Sequence, residues 1–270
     1  MARFSGRQNS IGLRKESARG TTGASAEYWL PYVNYSFNEK VEKVRDESGL
    51  GILSTPSSSD IVREWSEGEI TFNVRDQSVG LILLGLFGTE TFATDTPASG
   101  VGRHTFTLAV SNQHQSLSVF KKDAIETLQA GNVVVSSMGL NVVLDQYMQM
   151  TVGLMGKKFG ADAATVAYVA ENKFRPQDAV VKLAATANEI AGASAITTLR
   201  SLSLNFNKNV EVYQGLGSKT PVDFLNKDFE VSGDMELLFE DATYKNLVLN
   251  SQALRALSVK FTNAQAIAAG

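Results

Sequence analysis

Polar and apolar positions alternate along residues 229–240, FEVSGDMELLFE. Phe229, Val231, Met235, Leu237 and Phe239 share one parity; Glu230, Ser232, Asp234, Glu236 and Glu240 share the other, and Leu238 breaks the pattern. A side-chain period of two predicts a strand with one buried and one wet face. Carboxylates are expensive in a core and natural on a solvated surface, so the even face is expected to meet water.

The same reading extends along the chain. Residues 33–60 form an irregular or hairpin region that includes a turn cluster at Ser57–Asp60. Glu69–Arg75 is a strand, with Ile70, Phe72 and Val74 on one side. A short helix is predicted over Asp76–Phe87, capped by Asp76 and striped by Val79, Leu83 and Leu86. Residues 88–103 are rich in Gly, Thr, Ser and Pro and predict a long surface loop. Short strands follow around Phe106–Val110 and Leu117–Val119, and Lys121–Ala130 is polar and helix-compatible. Val133–Leu144 and Tyr147–Leu154 predict two strands joined near Asp145 and Gln146. Residues 177–193 read as a strand and short helix mixed. Leu202, Leu204 and Phe206, then Val210 and Val212, then Leu257, Val259 and Phe261 mark further strands.

A weak internal echo links MGLNVVLDQYMQMTVGLMGKK from Met138 with LSLNFNKNVEVYQGLGSK from Leu202. Both predict a strand, a polar turn, a second β-prone run and a Gly/Lys closure. They read as two hairpins of one design in a mostly antiparallel sheet fold.

Composition narrows the function. The chain has 270 residues, 43% hydrophobic and 20% charged, enough for one large β-rich domain or two small ones. A formal charge of -3 argues against a dedicated nucleic-acid-binding module, which needs a positive field. The absence of cysteine rules out disulfides, thiol chemistry and sulfur-based zinc sites. The first residues contain no apolar run of signal-peptide length, so synthesis in a cytoplasm is expected. The longest greasy run, Val79–Phe87, is far shorter than the roughly 20 residues of a membrane helix. Residues 1–27 are polar and glycine-rich and carry Arg3, Arg7, Arg14, Lys15 and Arg19. They hold too little apolar surface to fold alone and read either as a disordered terminus or as an arm ordered by a neighbouring subunit, with residues 28–270 as a single body behind an aromatic anchor at Tyr28–Tyr32.

Candidate chemistry is thin. His104 and His114 lack companion ligands at metal spacing and read as structural residues. Asp46 with Glu47, Glu64 with Glu67 and Glu69, and Glu240 with Asp241 nominate too many carboxylate pairs to single out an acid–base couple. Gly215–Lys219 lacks phosphate-loop spacing, and no nucleophile elbow is present. No catalytic residue, cofactor or metal site is assigned.

Taken together, several strings resemble the major tail tube protein of bacteriophages with long, non-contractile tails. They are GLRKESARGTTG from Gly12, DESGLG at Asp46–Gly51, EGEITFNVRDQSVGLILLGLFG at Glu67–Gly88, RHTFTL at Arg103–Leu108 and SLSV at Ser116–Val119. SMGLNV, SLSLNFNKNV and VSGDMELLFED at Val231–Asp241 complete the pattern. The resemblance implies a mainly β fold, an antiparallel β-sandwich or partly rolled barrel with a flanking α-helix and an inserted loop near 89–102. It implies a structural protein of the virion tail, assembled in the bacterial host cytoplasm as stacked hexameric rings. Its implied partners are further copies of itself, a tape measure protein, a tail terminator and a distal tail protein, with phage DNA passing through transiently. On this reading Glu230, Asp234 and Glu236 are candidates to line the lumen. Arg3, Arg7, Arg14, Lys15 and Arg19 belong to an inter-ring arm. The inner tube of a contractile tail is the nearest rival, followed by a capsid or baseplate decoration protein; an enzyme would be betrayed by turnover that one carboxylate substitution abolishes.

Overall fold

The computed structural model describes residues 8–48, 51, 58–94, 102–247, 249 and 254–265. In chain order the strands begin with β1 (Ser10–Lys15), β2 (Tyr28–Leu30), β3 (Tyr32–Tyr35), β4 (Asn38–Arg45) and β5 (Ser59–Asn73). Helix α1 (Val79–Phe87) leads into β6 (Gly88–Thr94), β7 (Gly102–Leu108), β8 (Leu117–Lys122), β9 (Thr127–Val143) and β10 (Gln149–Gly156). The rest is β11 (Gly160–Ala161), β12 (Ala179–Ala184), β13 (Leu199–Asn207), β14 (Glu211–Tyr213), β15 (Asp223–Leu225), β16 (Glu230–Leu237), a short α2 (Thr243–Asn246) and β17 (Ala256–Phe261). Every strand pairing described is antiparallel.

Strand β9 organises the molecule. Along one edge its first part carries β8, then β1 and β2; its second part carries β13, then β16. Its other edge carries β10, then β5, which takes β3 and β4. The two lobes meet at a register slip where Ser136 is the extra residue between Val135 and Ser137. A bulge of this kind bends a strand and increases its twist, and so folds one long sheet over on itself. The Ser136 carbonyl, lost to the ladder, accepts the Lys208 N–H at 2.9 Å. The result is a sandwich-like β fold with a flanking helix; among the described residues the strand path does not close into a barrel.

The core lies between the lobes. Ile11, Leu13, Leu117, Val119 and Val133 from one meet Ile70, Phe72, Met150 and Val152 from the other. Burying each contributes about 1.5–3 kcal/mol. Helix α1 is apolar all round and packs on β9; a Cβ at Gly85 would lie 2.8 Å from Val135 Cγ2, so only glycine permits this approach. Gly88, at φ +90°, ends the helix in the left-handed region.

Several expectations change. Residues 10–15, expected within the 1–27 assembly arm, form β1 inside the subunit's own sheet, because Ile11 and Leu13 supply apolar surface that a polar composition conceals. The loop expected over 88–103 is largely the β6–β7 hairpin, with Thr89 Oγ1 donating to Thr107 O at 2.6 Å; residues 95–101 lie outside the described residues. Lys121–Ala130 is no helix: β8 ends at Lys122, and the Asp123 carboxylate binds the Ile125 and Glu126 N–H groups in a turn before β9. Helix α1 starts at Val79 rather than Asp76, whose carboxylate instead binds the backbone and side chain of Asn172. The echo is not two hairpins: β9 and β10 form one, but β13 pairs with β9 and β16, and β14 with β15.

Candidate functional site

Register carries side chains of one parity across the second lobe in rows. One row runs Asp234, Ser203, Asn141, Gln149, Asn73; the next runs Ser232, Asn205, Gly139, Thr151, Thr71; the third runs Glu230, Asn207, Ser137, Gly153, Glu69. Glu236 lies opposite Ser201, whose hydroxyl is 3.4 Å from its carboxylate. Thr71 and Thr151 share a hydroxyl–hydroxyl bond of 3.0 Å. The rows contain no lysine or arginine. They form a five-strand face of mostly small neutral side chains with carboxylates on both flanks, and its second and third rows line a concavity of about 710 Å³.

The opposite parity is apolar. Its rows run Gly233, Leu204, Leu140, Met150, Phe72, and Val231, Phe206, Met138, Val152, Ile70. Helix α1 stands over this side, with the Phe87 ring 6.0 Å from those of Phe206 and Phe229. Glu230, Asp234 and Glu236 therefore share one exposed face, turned away from the helix. The expected burial of the odd face fails at β16: Val231 is 57% and Met235 39% exposed, because the covering layer stops short of this edge strand.

Among the described residues β16 pairs with β13 alone, and β4, at the far side of the same sheet, pairs with β5 alone. Each has eight residues and is exposed throughout, apart from half-buried Leu237. β16 carries neither proline nor lysine, devices that normally protect a sheet edge from pairing. β4 carries Lys40, Lys43 and Arg45, with Glu39 and Glu42 interleaved.

The basic residues of the expected arm scatter. Arg3 and Arg7 lie outside the described residues. Arg14 donates to Ser25 O at 3.0 Å, and the backbone N–H of Lys15 donates to the Glu27 carboxylate. Arg19 turns inward, donating to Asp223 Oδ1 at 2.7 Å, to His114 O at 2.5 Å and to Phe224 O. Glu16, unremarked in the sequence, is buried and accepts from Gly20 N, Asn132 N, Ser116 Oγ and Ser118 Oγ. Polar neighbours gave no sign of burial at Glu16 or at Lys208.

The nominated chemistry disperses. His114 is buried against Leu86 O and Ala109 O, while His104 pairs with Glu90 on the exposed hairpin. Glu64 pairs with Lys158, Glu67 accepts from Trp65 Nε1, and Asp241 caps the Thr243 N–H. Among the described residues no group of three or more His, Asp or Glu could hold a metal ion. Among them, too, no helix is long and apolar enough to cross a membrane.

No curated protein matches the chain. The family model of the phage tail tube protein matches residues 6–269, nearly the whole length. On this match the chain belongs to the phage tail tube protein family.

Proposed function

We propose that this protein assembles into stacked hexameric rings that form the hollow tube of a long, non-contractile phage tail, through which DNA leaves the virion. The five-strand face free of lysine and arginine carries this reading. Facing inward, it would present hydroxyls, amides and the carboxylates Glu230, Asp234, Glu236 and Glu69 to the passing duplex. Phosphates bind where cations release their counterions; a neutral to acidic wall repels them and leaves DNA free to slide.

Ring closure follows from the two open edges. Pairing β16 of one copy with β4 of the next would continue the sheet head to tail, remove both exposed edges and set the carboxylates of β16 beside Lys40, Lys43 and Arg45 of β4. Assembly would also cover Val231 and Met235. Tape measure, terminator and distal tail proteins would then meet the tube only at its ends or within its lumen.

Electron microscopy of the purified protein, before and after concentration and with an initiator complex added, tests the reading. Hollow striated tubes with sixfold rings are expected. Monomers persisting with the initiator, or tubes whose lumen is lined by the α1 side, would overturn it.

A further inference from the structure

The C-terminal carbonyls of an α-helix have no partner within the helix. In α1 all four are taken. Gly88 N–H donates to Leu84 O. Lys208 Nζ donates to Gly85 O at 2.9 Å. His114 Nδ1 lies 2.9 Å from Leu86 O, and Ala109 N–H donates to Phe87 O at 2.7 Å. Two titratable bases from distant parts of the chain thus hold consecutive carbonyls at one helix end. Lys208 is 1% exposed and His114 5%.

This end is crowded with bases. Arg19 faces both, donating to the His114 carbonyl. The acids facing the cluster are Asp223 and Glu16, and their oxygens are already engaged. Asp223 accepts from Arg19, Asn132, Gln113 and the Phe224 N–H. Glu16 accepts from Gly20, Asn132, Ser116 and Ser118. No ion pair of the described residues involves Lys208 or His114. The negative end of the helix dipole favours a cation here, but only by about 0.3–1 kcal/mol, up to ~2 in buried geometry. A buried ammonium needs three acceptors and a counter-charge, whereas a neutral amine still donates to Gly85 O and buries no charge.

Lys208 also begins a strap. Its own N–H holds the Ser136 bulge, and its carbonyl accepts the Lys227 N–H. Between these points, residues 208–228 carry the β14–β15 pair, and Lys219 O accepts the Glu64 N–H midway along the β4–β5 hairpin.

We propose that Lys208 and His114 form an acid-released clasp, holding the 208–228 strap to the C-terminal end of α1 while Lys208 is neutral and loosening it as the pair takes up protons. Burial, with Arg19 adding to it, pushes the Lys208 ammonium down to about 7. Burial and then Lys208 lower His114, against the opposing bonds to the Leu86 and Ala109 carbonyls. A base with a lowered pKa leaves the unfolded chain holding more protons between that value and about 10.4, so stability rises with pH across this window. Below about pH 7 the cost of the buried charge is fully present.

Denaturant unfolding of the full chain between about pH 6 and pH 10, beside Lys208→Met, reads the linkage. The wild-type folding constant should rise relative to the variant by up to about tenfold per pH unit across the window. Parallel profiles overturn the clasp. Should Lys208→Met fail to fold, a lysine ¹³Cε titration of the wild-type chain decides. One midpoint near about 7 supports the proposal, and all midpoints in the ordinary lysine range, above about 9, overturn it. Hydrogen exchange, corrected for intrinsic rate, should show residues 208–228 opening more at about pH 6 than at pH 8.5 while Ile82 and Leu84 stay protected. Equal protection at both overturns the release.

Discussion

The Arg19 guanidinium meets the Asp223 carboxylate across 204 residues of chain, with Nε 2.7 Å from Oδ1. Both side chains are mostly buried, and the same guanidinium also holds the His114 and Phe224 carbonyls. One contact therefore ties the segment after β1 to β15 and to the loop before β8.

Arg19→Ala should destabilise the subunit by about 3 kcal/mol, since it leaves a buried carboxylate and two carbonyls short of donors. Burial pushes the Asp223 carboxyl up, but the bonds from Asn132, Arg19 and the Phe224 N–H outweigh this and leave it below the usual carboxylate range. A lowered acid contributes stability above its unfolded pKa, about 3.9, and loses it as pH falls through the folded value. Wild type should therefore lose stability below about pH 4, and Arg19→Ala should lose less there. Urea unfolding of both proteins at several pH values checks this.

Gly85→Ala should lower stability by about 1–3 kcal/mol, although alanine is normally the better helix former by about 1 kcal/mol. The new methyl would meet Val135 Cγ2 at 2.8 Å and Leu117 Cδ1 at 3.3 Å, both in the core. Pairing it with Val135→Ala should recover part of the loss. Thermal melts of the single and double variants give the comparison.

Val231→Lys should leave the free subunit within about 0.5 kcal/mol of wild type, because the side chain is exposed. If β16 is the pairing edge, the added charge should stop ring and tube formation. Sedimentation of concentrated protein separates the outcomes; tubes forming normally from the variant would remove β16 from the interface.

Replacing Glu230 and Asp234 together by lysine should likewise spare subunit stability, as both are exposed. Tubes should still form, but virions carrying them should eject DNA more slowly, more so at low salt, because phosphates would then be attracted to the wall. Single-virion ejection kinetics at two salt concentrations test it. Unchanged rates at both would place these residues outside the DNA path.

What was legible in the sequence was local alternation. Leu202–Phe206 and Met138–Val142 read as strands because apolar side chains recur every second residue, and the wet face of 230–236 follows from its carboxylates alone. Reading 88–103 as loop failed because a hairpin outside the core needs no apolar alternation; its threonines bond across strands instead. The arm reading overlooked two buried residues, Ile11 and Leu13, among many polar ones.

Only the tertiary structure decided which faces align. Parity says that Asn205 and Asn141 point away from their neighbours, but register alone sets Asn205 opposite Gly139, and Ser203 opposite Asn141, in one continuous polar face. It also decided that Glu16 and Lys208, ordinary surface types by composition, are buried, because most of the side-chain partners that satisfy them come from segments about 100 residues or more away. The sequence by itself determined strands such as Leu202–Phe206 and Met138–Val142, the wet side of 230–236 and the apolar helix, all set by neighbours a few residues apart. Register, the Ser136 bend and the buried polar ties depend on pairings between distant segments, which no local pattern encodes.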